Sequence, residues 1–172
     1  MKLGRLVIRL VVGLLFAGHG AQKLFGSFGG HGPDGTGQFF ESLGLGPGRR
    51  NALAAGTSET VGGALLAAGL FTPLAATALS ATMITAIRTV HAANGPWASD
   101  GGYEYNLVLL AALFALADAG PGPWSLDHAL SLETSGMPWA LAQLGAGALA
   151  SKVTIDQGRK TPVPPDAAPV TG

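Results

Sequence analysis

Leu6-Val-Ile-Arg-Leu-Val-Val-Gly-Leu-Leu-Phe-Ala-Gly-His-Gly-Ala-Gln-Lys-Leu24 is a run of 19 residues interrupted by only three ionisable side chains, Arg9, His19 and Lys23. As a helix rising about 1.5 Å per residue it covers about 29 Å, which matches the hydrocarbon core of a bilayer at about 30 Å. Two further runs share that character, Asn51–Leu70 and Leu74–Ala93, each of 20 residues. A fourth begins near Tyr103, passes through Leu107–Ala117 and ends at Ala119, where Gly120-Pro-Gly-Pro123 breaks it. Lys2 and Arg5 before the first run resemble the start of a cleaved signal peptide, but the run is longer than a usual signal core and three more follow.

The fold class expected is therefore all-α: an integral membrane four-helix bundle, residues 1–128, packed left-handed through glycine- and alanine-rich faces. Residues 129–155 form a C-terminal segment whose helix, Met137–Ala150, is only 14 residues long and so interfacial or buried rather than spanning. The Pro-rich tail, 156–172, reads as disordered.

Composition agrees with lipid. Charged residues make up 12% and hydrophobic ones 48%, with 27 glycines, against about 25% charged in a soluble domain. Ten basic residues balance ten acidic ones, so no basic field exists to hold nucleic acid. With no cysteine, disulfides, thiolate metal sites and dithiol redox chemistry are excluded for the chain acting alone.

The connections are unequal. Gly26–Arg50 is a long glycine-rich loop with a short amphipathic piece, Gln38–Leu45, whereas Phe71–Pro73 is a tight turn. The loop Asn94-Gly-Pro-Trp-Ala-Ser-Asp-Gly-Gly102 lies on the side of the long one. The Gly26–Gly37 stretch and the tail bury little surface by themselves, so one of them is expected to order on a partner or on a second copy of the chain. Lys2 and Arg5 together with Lys152, Arg159 and Lys160 place both termini in the cytoplasm by the positive-inside rule, with Arg49 and Arg50 counting against it.

The polar residues inside the spans are the candidates for chemistry. His19, Lys23, Glu59, Arg88, His91, Glu104 and Asn106 lie within or at the edges of the four runs, where an unpaired charge costs roughly 3 kcal/mol or more. Counting rise per residue, Glu59 sits near the midplane and the rest lie toward the long-loop side. His19 and Lys23 are four apart, Arg88 and His91 three apart, so each pair shares a helix face. Gly62 and Gly63 beside Glu59 let a neighbouring helix approach. A single polar pocket follows, with Glu59 and His19 as proton-exchanging residues and Lys23, Arg88, His91, Glu104 and Asn106 as binding residues. The plainer roles are snorkelling for Lys23, Arg88, His91 and Glu104, and a structural ion pair for Glu59. Only His91 is available to join His19, too few ligands for a metal site.

Several stretches in order carry a family resemblance: Leu14-Leu-Phe-Ala-Gly-His-Gly-Ala-Gln-Lys-Leu-Phe-Gly26, Glu59-Thr-Val-Gly-Gly63 leading to Gly69-Leu-Phe-Thr72, His91 with Asn94-Gly95, and Gly101-Gly-Tyr-Glu-Tyr-Asn-Leu107 with Ser125-Leu-Asp127. Over about residues 5–128 the chain resembles the DoxX family. The resemblance implies a small four-helix membrane protein linked to thiosulfate- and quinone-coupled oxidoreductases. It also implies, for some members, a membrane anchor assembling with soluble redox enzymes such as superoxide dismutase and a thiol-handling sulfurtransferase.

Three functions are compatible with these features. The first is a plasma-membrane redox subunit whose pocket binds a quinone, taking electrons from a bound flavin, a haem or a partner such as a soluble redox enzyme, with nothing in the sequence marking the first two. The second is a non-catalytic scaffold that gathers such enzymes at the membrane. The third is a small-solute transporter, against which stand the missing internal repeat and the scarcity of polar residues in the inner half.

Overall fold

The computed structural model describes residues 2–161, and within them the chain is all-helical with no strand. Helices α1 (Lys2–Phe25), α2 (Gly32–Ser42), α3 (Gly48–Ala68), α4 (Thr72–Ala86) and α5 (Glu104–Ala119) are followed by a single turn, α6 (Leu126–Ala129), and by α7 (Met137–Lys160). The α4 axis continues through a π-helical stretch, Ile87–His91, and a 3₁₀ turn, Ala92–Asn94. All four segments read as spans are thus helical. The α3–α4 turn is set by Gly69, whose φ of +65° ends α3 in a left-handed residue, and by Pro73 in the first turn of α4.

A glycine seam joins α1 to α3. A Cβ on Gly13 would lie 2.6 Å from the Gly63 carbonyl oxygen, and one on Gly63 would lie 2.5 Å from that of Gly13. Seven residues along, a Cβ on Gly20 would meet the Gly56 carbonyl at 2.6 Å. Backbones this close are possible only without side chains, the small-residue packing that membrane helices use. The core proper lies on the other side of α3, where Phe16, Leu66, Leu79, Leu113 and Leu116 are buried together.

The long loop is largely helical: its α2 begins at Gly32, six residues before the expected amphipathic piece, and packs on α3. Glu41 Oε1 accepts the Gly48 N–H at 2.9 Å, and Gly37 touches Gly48 backbone to backbone. The tail from 162 onward lies outside the described residues.

Helix α7 corrects the expected length and the start of the tail. It is 24 residues long, taking in 156–160, which read as tail, and it lies along α4 and α5. The Gly136 N–H donates to the Asp118 carbonyl at one end, and the Gly158 carbonyl accepts from Gly46 N–H at the other. Between them Ser80 Oγ donates to Gln143 Oε1 at 2.9 Å, and Thr85 Oγ1 to Ser151 Oγ at 3.0 Å. These pairs rise together in number, so α7 runs parallel to α4. The start of α1 and the end of α7 therefore lie at opposite ends of the bundle. Gly147 packs closely on Ser80, Ala81 and the Thr77 carbonyl.

Side chains are sorted unlike those of a water-soluble bundle. Leu3, Val7, Ile8, Leu10, Val11, Leu14 and Leu15 of α1 are exposed, while Arg9, Glu59, Asn106, Asp127 and Gln143 are buried. Leu3–Phe25 and Thr72–Asn94 are long and apolar enough to cross a membrane, with mean hydropathies of 1.5 and 1.2. Helix α5 has only 16 residues, and α3 is diluted by glycines and by Arg49, Arg50 and Glu59.

Candidate functional site

Toward the end of the bundle that carries α2, helices α1, α3, α4, α5 and α7 leave a cavity of about 710 Å³. Its walls are mostly Leu15, Phe16, Phe40, Met83, Leu109 and alanines of α3 and α4. Leu15 and His19 on α1 and Tyr105 on α5 line it and are also exposed, so the space communicates with the outer flank of the bundle.

One ion pair stands in this apolar wall. Lys23 Nζ donates to Glu59 Oε2 at 2.5 Å, with the Glu59 side chain 3% exposed and that of Lys23 23%. The sequence explains the meeting. The seam of Gly13 and Gly20 against Gly56 and Gly63 brings α1 and α3 to backbone contact, and one turn beyond Gly20 the side chain of Lys23 falls opposite Glu59. Removed from water, each charge depends on the other, because a lone charge at this depth is costly. Among the described residues Glu59 bonds Lys23 alone, through one of its two oxygens.

The remaining expected residues divide. His19 lines the cavity, and its Nδ1 is 3.0 Å from Gln22 Oε1. His91 lines it as well, placed by the π-helical stretch, with Nδ1 2.7 Å from the Gly101 carbonyl. Asn106 is buried in the wall, and its Nδ2 lies 3.4 Å from Met83 Sδ. Two residues are not brought in. Arg88 is exposed and off the cavity, its charge acting on Asp156 of α7. Glu104 begins α5, where its backbone N–H donates to the Pro96 carbonyl, and it does not line the cavity. The π-helical stretch accounts for the split: the wider turn breaks the 3.6-residue periodicity that put Arg88 on the face of His91.

Sequence reading set aside a second polar cluster, at the opposite end. Arg9 is 2% exposed and donates to the carbonyls of Ala67 at 3.0 Å, Pro121 at 2.7 Å and Trp124 at 2.6 Å. Asp127 accepts from the Phe71 and Thr72 N–H groups and the Thr72 hydroxyl at 2.8–3.0 Å. The two together tie the α3–α4 turn to the segment after α5. The signal was present as Arg9 inside an apolar run, and Asp127 within the family-like Ser125-Leu-Asp127.

Comparison with known proteins agrees with this frame. The DoxX family model matches residues 4–92. The chain is 33% identical over 115 residues to "Putative oxidoreductase CatD" of Bacillus subtilis, covering 67% of this chain and 79% of that protein. It is 35% identical over 136 residues to "Uncharacterized membrane protein Rv3486" of Mycobacterium tuberculosis, covering 72% and 79%. No solved structure matches the chain. The chain belongs to the DoxX family of membrane proteins.

Proposed function

From that membership we propose that the protein is a multi-pass plasma-membrane subunit of a redox system, and that its cavity binds a quinone. Helices α1, α3, α4 with its extension, and α5 are the four spans of the family-like core. The observation that carries this reading is the Lys23–Glu59 pair, 2.5 Å long, in the wall of an otherwise apolar 710 Å³ cavity. A quinone has an apolar ring and two carbonyl oxygens. It reaches its site from lipid and needs a donor at an oxygen and a proton source for reduction. Lys23 would supply the donor, and the Glu59 carboxylate would relay to the quinone oxygens, one after the other, the two protons it takes up. His19, on the exposed wall, would pass protons to Glu59.

Reduction of a quinone to the quinol takes two electrons and two protons. With no cysteine in the chain, the electrons come from a soluble redox enzyme docked at the membrane, which is oxidised in turn. The name of the Bacillus subtilis relative supports an oxidoreductase system.

The test is titration of the purified protein, in lipid nanodiscs, with a short-chain ubiquinone analogue. Saturable binding that Glu59→Gln weakens at least tenfold, with the variant still folded, is the expected result. Wild-type protein that binds no quinone overturns the proposal, as does binding indifferent to Glu59→Gln. A stoichiometric soluble enzyme co-purifying without quinone would point instead to a scaffold.

A further inference from the structure

We propose that α7 is a fifth membrane pass, and that the cavity end of the bundle faces the cytoplasm with its cations on the anionic headgroups of that leaflet. This rests on membrane embedding alone and not on the quinone reading.

Both ends of α7 are tethered at opposite ends of the bundle, by Gly136 to Asp118 and by Gly46 to Gly158. Its 24 residues reach about 36 Å, enough to cross. An interfacial helix hides its apolar face and shows its polar one. Helix α7 does the reverse: Gln143 and Ser151 are buried against α4, while Trp139, Leu141, Leu149 and Val153 are exposed. No charged residue occurs from Met137 to Ser151. An outward apolar face with inward polar groups is the arrangement lipid contact selects.

A parallel α7 also regroups the charges. Lys152, Arg159 and Lys160 move to the end that already carries Arg49, Arg50 and Arg88, and all six are exposed. Two of them form ion pairs, Arg49 with Asp34 and Lys152 with Asp156, and Arg88 and Lys160 also act on Asp156. At the other end, among the described residues, stand Lys2 and Arg5, while Arg9 is sealed among carbonyls. The positive-inside rule counts cations and gives little weight to acids, so the end with six is cytoplasmic. Arg49 and Arg50, which conflicted with the orientation drawn from sequence, now agree with every other exposed cation at that end. The anionic leaflet is the surface such a rim fits.

The chain has no cysteine, so single ones at Ser42, Ser131 and Thr161 can be labelled in intact and permeabilised cells with a membrane-impermeant maleimide. Ser131→Cys should react in intact cells, and Ser42→Cys and Thr161→Cys only after permeabilisation. Reaction of Ser42→Cys and Thr161→Cys on opposite faces removes the fifth pass. Any pattern in which Ser131→Cys is not the accessible site removes the orientation. Changing Arg49, Arg50, Arg159 and Lys160 together to Gln should leave a measurable fraction of molecules inverted, seen as protected Ser131→Cys. Unchanged labelling would remove the role of those cations.

Discussion

The bundle has two buried polar clusters, one at each end, and they are built on opposite principles. Around Arg9 the guanidinium meets three carbonyls and Asp127 meets three donors, all from the chain itself. Around Glu59 a single ion pair borders about 710 Å³ of space. A cluster whose donors and acceptors are matched by its own chain can only hold the fold together. One that leaves bonding capacity facing a cavity can exchange it with a visitor. Burial alone does not separate the two clusters, since Arg9 and Glu59 are both 2% exposed.

The comparison breaks most readily at Arg9. Arg9→Met keeps a long side chain but strands three carbonyls and the Asp127 charge, a loss of about 3–5 kcal/mol. Thermal unfolding in detergent should show a large fall in Tm, and a Tm near wild type would mean the cluster is not structural. Next comes Gly63→Ala, whose Cβ would sit 2.5 Å from the Gly13 carbonyl. It should cost about 1–3 kcal/mol and force α1 from α3. Because the seam aligns Lys23 with Glu59, affinity for the quinone analogue should fall together with Tm. A drop in Tm with affinity intact would uncouple seam from site. Arg88→Ala, off the cavity and exposed, should leave stability within about 0.5 kcal/mol and affinity unchanged. Lost binding in that variant would return Arg88 to the site.

The sequence revealed the four core helices because their outward and inward residues are alike apolar, so length rather than periodicity marks them. The pairing of Glu59 with a cation was legible for a related reason: a charge so deep needs one, and Lys23 sits on the adjoining run. What stayed hidden has physical causes. Helix α7 is legible only over Met137–Ala150, because Lys152, Asp156, Arg159 and Lys160 end the apolar run that marks it. Arg88 was assigned by a 3.6-residue period that the π-helical stretch does not keep. Arg9 was passed over because its partners are backbone carbonyls, which leave no trace in side-chain patterns.

The packing of α7 against α4 also bears on biosynthesis. A chain made from its N-terminus delivers α4 well before α7, so Ser80 and the surface around it stay uncovered until α7 arrives. Throughout that interval the growing protein displays a groove that only Met137–Lys160 fills. A nascent chain interrupted before Met137 would keep the groove open, a mark by which membrane proteases and insertion chaperones could tell an unfinished molecule from a finished one.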